Sequence, residues 1–291
     1  MDIRRQTSDF GYKEVSMSFW FKEKNTDGYQ VKWKIREILH TEKTPYQELA
    51  VIDTLEWGKA LILDGALQVS EKDEFVYHEM IAHVPMFSHP APRDVLIIGG
   101  GDGGTLRELC KHPQLQKIDM VEIDERVVAA SKQYLPSISS AFNDARLNLF
   151  FQDGIEFVKN AGKYDLVIVD SSDPIGPAQL LFTQEFYSNI YNCLNNDGMM
   201  VVQSESPIFY QEVFCSVHRN ISAVFPRTLV YLAYIPTYVS GPWSFTIGSK
   251  VHDPREVKGD NRPGFDLKYY NDKVHQAAFA LPGFIYDMIR E

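Results

Sequence analysis

The chain has 291 residues, 44% of them hydrophobic and 23% charged, which supplies a sizeable core and excludes a disordered protein. At ~150 residues per domain the length fits one large or two modest domains. The 29 Lys+Arg against 39 Asp+Glu leave a net charge of −10, a field that repels a phosphate backbone and attracts cations, so no nucleic-acid partner is expected. Cys110, Cys193 and Cys215 are scattered and odd in number, without a disulfide or zinc pattern, which fits a reducing, cytoplasmic setting. No apolar run approaches ~18 residues and the first residues lack an apolar core, so neither a membrane span nor a secretory signal is expected.

Residues 1–17 are polar and unpatterned and read as a flexible N-terminal arm. Residues 18–72 read as a small antiparallel β domain of five or six strands. Val31, Trp33 and Ile35 alternate with lysines, and Gly28, Pro45, Gly58 and Asp64-Gly65 punctuate short apolar runs. The aromatic strands have too little chain around them to bury both faces and both edges, which predicts a homodimer or homotetramer joined through this region.

Near Glu71 the period changes, and Phe75, Met80, Val84 and Phe87 predict a helix ending at Ser88-His89-Pro90; Pro90-Ala91-Pro92 reads as the joint between the parts. The catalytic domain is assigned to residues 73–291. Apolar runs at 95–98, 118–121, 147–151, 166–169 and 199–202 alternate with helical patterns around 105–111, 125–135, 155–160, 183–194 and 209–224. Such alternation predicts an α/β fold with a Rossmann-like, doubly wound parallel sheet. Strands at 229–235 and 245–247 follow each other closely and predict an antiparallel edge.

Ligands of such sheets bind beyond the carboxyl ends of the strands. Four successive strand ends deliver Gly99–Gly104 with Asp102 inside it, then Glu122, then Asp153-Gly154, then Asp170-Ser171-Ser172-Asp173-Pro174. Any one of these acids could be a helix cap; four together point to a site. Gly99, Gly101 and Gly104 satisfy G-x-G-x-x-G, and Glu122 lies 23 residues after Gly99, where a carboxylate can accept from ribose hydroxyls. Asp102 would oppose a pyrophosphate, which disfavours a dinucleotide, and would equally oppose the carboxylate of S-adenosylmethionine. It would welcome an ammonium. The pattern suits an adenosine carrying a cationic tail. Asp102, Asp170 and Asp173 together need a cationic partner; His78 and His83, five residues apart, diverge on a helix, so an organic polycation fits better than a metal.

These residues, with Leu63-Asp64-Gly65, Gln68, the run from Glu71 to Met80, Val121-Glu122-Ile123-Asp124, Gly176-Pro177, Pro236-Thr237-Tyr238 and the tail from Tyr269 to Pro282, resemble the polyamine aminopropyltransferase family in its bacterial spermidine synthase branch. The resemblance runs from about Phe19 to Pro282, and the arm before it is longer than the family pattern. It implies transfer of the aminopropyl group of decarboxylated S-adenosylmethionine to putrescine, giving spermidine and S-methyl-5'-thioadenosine, with no cofactor and no metal. It implies Asp170 as the catalytic base. It implies Gln47, Glu122, Asp153, Gly154 and Pro177 as nucleoside contacts. It implies Tyr77, His78, Asp102, Ser171, Ser172, Asp173, Gln203 and Tyr238 around the amine and the aminopropyl tail. Beside it, other readings stay open: Asp153 as a cap, His78 as a core histidine on a half-buried helix, Tyr238 as core packing. Gln47 rests on the resemblance alone. Rival functions are a same-fold transferase with agmatine, cadaverine or spermidine as acceptor, a putrescine N-methyltransferase, a dehydrogenase opposed by Asp102, and a non-catalytic nucleoside-binding module opposed by Asp170 and Asp173.

Overall fold

The computed structural model describes residues 18–172, 176–239, 241–258 and 265–290, with Gly176 and Pro177 through their backbone alone. The N-terminal arm and Asp173 lie outside these residues. Two sheets form the molecule. The first is a five-stranded antiparallel meander of β1 (Phe19–Thr26), β2 (Tyr29–Lys43), β3 (Glu48–Thr54), β4 (Gly58–Leu63) and β5 (Ala66–Ser70). Buried Glu23 of β1 accepts from Leu67 N of β5 at 3.1 Å and from Trp33 Nε1 of β2 at 3.0 Å, so the two outer strands lie side by side. Alternation gives this sheet two buried faces: Leu49, Val51, Leu61 and Val69 on one, Trp33, Ile52, Ile62 and Leu67 on the other. Phe19, Trp20, Ile38, Tyr46 and Leu55 remain exposed. The expectation that this sheet leaves a face unburied is thus corrected, and the exposed aromatic and aliphatic rim is the surface that remains.

Helix α1 (Glu74–Ser88) leads into the second sheet, built from β6 (Asp94–Gly99), β7 (Lys117–Glu122), β8 (Leu147–Phe151), β9 (Tyr164–Asp170), β10 (Leu194–Gln203), β11 (Arg227–Ala233) and β12 (Trp243–Ser249). Its order is β11-β12-β10-β9-β6-β7-β8; β6 to β10 are parallel and β12 is antiparallel to both neighbours. Successive residues of β6 face opposite cores: Val95 and Ile97 meet α1 and α2 (Gly104–Cys110), while Leu96 and Ile98 join the core of α4 (Gly154–Lys159), α5 (Gln184–Cys193) and α6 (Gln211–Ser222). α3 (Glu125–Tyr134) covers the first sheet through Val127 and Ala130.

Two expectations are corrected. α1 is apolar nearly all round and buried from Val76 to Ser88, so it is a core helix rather than a half-buried one. Because it packs on the second sheet, Pro90-Ala91-Pro92 links a helix and a strand of one core and is no joint between domains. Two short C-terminal helices, α7 (Asp272–Ala278) and α8 (Gly283–Met288), have no strong apolar period and were not foreseen. No helix among the described residues is long and apolar enough to cross a membrane.

Candidate active site

The chain runs from β6 to β7 and β8 in one direction and returns to place β9 on the other side of β6. A crevice opens where the order reverses. The register sets Gly99 beside Asp170 and Glu122 beside Phe151, so the strand ends share one rim. Gly99 has φ +84°, and a Cβ there would lie 2.2 Å from the Asp170 carbonyl oxygen. Only glycine lets the turn close there, with Gly100 N donating to that oxygen at 2.8 Å. At Gly104 a Cβ would lie 2.2 Å from the His78 ring. The glycines of this loop thus admit a carboxylate-bearing strand end and an imidazole.

A cavity of about 420 Å³ lies along this rim, lined among others by Gln47, His78, Asp102, Glu122, Asp153, Gly154, Asp170 and Ser172. A smaller one of about 60 Å³ continues it; Gln68, Tyr77, Ser171, Thr237 and Tyr238 line both, and Gln203 lines the smaller. Among the described residues, every one that the resemblance assigns to the site except Pro177 lines one or both cavities. Asp173 and the Pro177 side chain lie outside the description.

Asp170 lines the larger cavity, and its neighbour Ser171 and its partner Tyr77 line both. Tyr77 Oη donates to its Oδ1 at 2.7 Å and Thr105 Oγ1 to its Oδ2 at 2.6 Å. Burial, then the charge of Asp102, push its pKa up. Burial and the Asp170 charge push the Tyr77 phenol well above its ordinary value, so it stays a donor. Asp102 Oδ1 accepts from Gly104 N at 2.7 Å and lies 3.3 Å from His78 Nε2. His78 Nδ1 lies 2.6 Å from Glu74 Oε2, and Arg107 donates to both Glu74 oxygens at 2.9 and 2.7 Å. Burial opposes a charge on His78, but Asp102 and Glu74 outweigh it and hold the imidazolium well above its usual range. The histidine is therefore a charged member of this network.

At the other end Glu122 Oε1 accepts from Asp124 N at 2.9 Å, and burial pushes its pKa up to about 7. Asp124 Oδ2 in turn accepts from Thr44 Oγ1 at 2.7 Å and Gln47 Nε2 at 2.9 Å, which brings the first sheet to the rim. Asp153 does cap α4, accepting from Ile155 N at 2.8 Å, and still lines the cavity. Tyr238 Oη donates to Gln68 O at 2.6 Å and its ring crosses Tyr77 at 6.0 Å between centroids. Gln203 Nε2 donates to Ser171 O at 3.3 Å. The Ser171 Oγ is buried without a partner among the described residues.

Sequence reading missed three supporting side chains. Thr105 lies in the first turn of α2, Glu74 opens α1, and Asp73 Oδ2 accepts from Thr237 N at 2.7 Å and Thr237 Oγ1 at 2.8 Å, which places Tyr238. A hydroxyl on a helix has no sequence signal for such a role. Glu74 is four residues before His78 on one helix face, a spacing that could have revealed it.

Comparisons with known proteins find matches that cover both sheets. The Spermine/spermidine synthase domain family matches residues 74–258 and the Spermidine synthase tetramerisation domain family matches residues 19–71. The polyamine aminopropyltransferase of Desulforudis audaxviator is 50% identical over 94% of this chain and 100% of its own, and that of Shouchella clausii is 46% identical with the same coverage. A solved spermidine synthase in complex with the transition state analogue AdoDATO superposes with a TM-score of 0.91 at 40% identity, covering 94% of this chain and 95% of the other. Spermidine synthase from Thermotoga maritima superposes at 0.87 with 38% identity, covering 93% and 94%. With the rim of acids at the switch point and this similarity over both sheets, the chain belongs to the spermine/spermidine synthase family and is a transferase of the polyamine aminopropyltransferase class.

Proposed function

We propose that the enzyme transfers the aminopropyl group of decarboxylated S-adenosylmethionine to putrescine, giving spermidine and S-methyl-5'-thioadenosine. The observation that supports this reading is Asp170, which lines the large cavity and is held there by Thr105 and by Tyr77, a residue that lines the narrow cavity as well. The larger cavity takes the nucleoside. Glu122 accepts from its ribose hydroxyls, Asp153 and Gly154 face the base, and Gln47 and Pro177 complete the contacts. Asp102, His78 and Ser172 face the aminopropyl tail, and the family resemblance assigns Asp173 to the same part of the substrate. The smaller cavity takes the diamine among Tyr77, Ser171, Gln203 and Tyr238.

The sulfonium of the donor is already an activated leaving group. The acceptor amine has a pKa near ~10, like lysine, and must lose a proton before its lone pair attacks the carbon beside sulfur. Asp170 takes that proton: burial and Asp102 raise its basicity, while two hydrogen bonds fix its direction. The new C–N bond forms as the C–S bond breaks, and the electron pair leaves on sulfur. Holding amine and donor in line contributes up to roughly 7–11 kcal/mol. No metal or redox cofactor is needed for this displacement. The same reading has the protein work in the cytoplasm as a homodimer or homotetramer through the sheet of residues 19–71, supported by the family description of that segment.

Incubation with the decarboxylated donor and a panel of putrescine, cadaverine, agmatine and spermidine, with product masses read out, tests the assignment. Spermidine as the dominant product with putrescine present is expected; a methylated amine or preference for another acceptor overturns it.

A further inference from the structure

At the opposite end of the second sheet from Asp170, three segments converge. His89 follows the C-terminus of α1, Asp197 lies near the start of β10, and His252 follows β12. Their ligating atoms all lie within 4.8 Å of one another. Asp197 Oδ2 is 3.4 Å from His252 Nε2 and 3.7 Å from His89 Nε2. These separations are long for hydrogen bonds between charged groups. They are close to the edge of a tetrahedron of donors around one ion, ~3.3 Å for metal–ligand bonds of ~2.0–2.1 Å.

A second observation points the same way. His89 is 3% exposed, and its Nε2 is buried without a hydrogen-bond partner while aimed at Asp197. The neighbouring acid Asp165 is committed elsewhere, to Arg93 N, Asp94 N and Asn195 Nδ2. Asp197 meets only His89 and His252 among the described residues, and its side chain is 45% exposed, which leaves room for water as a fourth ligand.

We infer that His89, Asp197 and His252 form a binding site for a borderline transition-metal ion of the Zn²⁺ class, separate from the active site. Two imidazoles and one carboxylate select Zn²⁺, Co²⁺ or Ni²⁺ over Mg²⁺ or Ca²⁺. His89 Nδ1 accepts from Ala91 N at 3.3 Å, which fixes the proton on Nε2. An ion at Nε2 moves that proton to Nδ1 and gives up the Ala91 bond. The site therefore binds more weakly than a preorganised structural zinc site. The ion clasps the end of α1 to the base of the sheet. α1 has 15 residues, about 22 Å of helix, which separates the clasp from the chemistry at its other end.

The test uses the full-length, tag-free protein after chelator treatment. Calorimetric titration with Zn²⁺ should give one equivalent bound, Mg²⁺ should give no heat, and Co²⁺ should develop the visible absorption of a tetrahedral site. His252→Ala and Asp197→Asn should each weaken Zn²⁺ binding at least tenfold and remove the rise in melting temperature that Zn²⁺ gives the wild type. Both residues are partly exposed, so their metal-free melting temperatures should match the wild type and show that folding is intact. Absence of stoichiometric Zn²⁺ binding, or binding unchanged in both variants, overturns the site. Aminopropyl transfer is not a readout here, so the result is independent of the proposed function.

Discussion

The two ends of the large cavity both hold buried acids, yet they balance charge differently. At the Asp170 end Asp102 faces the His78 imidazolium, which is backed by Glu74 and then by Arg107, so the acids there are interleaved with cations. At the Glu122 end the carboxylate has backbone N–H partners, and the nearby charges of Asp124 and Asp170 add to burial in pushing its pKa up to about 7. Glu74 shares its site with cations: burial opposes its charge, but His78 and Arg107 outweigh it and hold the pKa down to about 2, so this acid stays ionised. One that meets only amide dipoles is matched to a neutral partner that donates hydrogen bonds, which is what ribose hydroxyls are.

The sharpest way to break this contrast is at Asp170. Asp170→Asn should keep the fold and nucleoside affinity but lower turnover roughly 10²–10⁴-fold, and the deficit should shrink at alkaline pH, where more amine is already neutral. Turnover near the wild-type value at pH 7 would remove Asp170 from the base role.

Glu122 gives the next largest effect, on stability. Its pKa is raised from an ordinary 4.5 to about 7 in the folded chain, so the native state binds the extra proton between these values. Its contribution is full below about 4.5 and is lost as pH rises through 7. The difference amounts to about 3 kcal/mol. Glu122→Gln stays neutral and should be up to about 3 kcal/mol more stable than wild type at pH 8, with the gap closing near pH 4.5, as measured by urea unfolding. The same variant should bind nucleoside more weakly. A gap independent of pH would mean that Glu122 is not buried as an uncompensated charge.

Asp102 sharpens the comparison at the other end. Its charge faces the donor tail, but Gly104 N and His78 already engage it. That compensation reduces the repulsion it exerts on S-adenosylmethionine. Asp102→Asn should narrow the affinity gap between the decarboxylated and parent nucleosides by about 1 kcal/mol, about fivefold. Calorimetry with both nucleosides reads the ratio; no change would place the discrimination in the shape of the tail pocket.

The smallest effect is expected at Thr105. Thr105→Val removes a hydrogen bond that stabilises the Asp170 carboxylate, so the acid limb of the pH–rate profile should move to higher pH. Turnover at pH 7 should fall roughly 2- to 10-fold, in keeping with one lost hydrogen bond. An unmoved acid limb would show that Thr105 only fills space.

The alternation of strands and helices, the parallel sheet with its antiparallel edge, and the order of acids at strand ends were legible in the sequence. They depend on periods of two and 3.6 and on the rule that strand ends face ligands, which are local or follow from topology. Gln47 shows the limit. Its contact with Asp124 spans 77 residues and exists because β3 and β4 pack on α3, a long-range packing outcome with no local pattern. The state of His78 was likewise undecided: a buried histidine is neutral or charged according to its neighbours, and Glu74 and Asp102 reach it from different elements. The burial of α1 on all sides, the pairing of Thr105 with Asp170 and the meeting of His89, Asp197 and His252 belong to the same class. Sequence by itself determined which chemical groups stand at the strand ends, because strand and turn signals are short-range. Tertiary structure alone decided which of those groups touch, and so which carry charge, because electrostatic energies depend on distances between residues far apart in the chain.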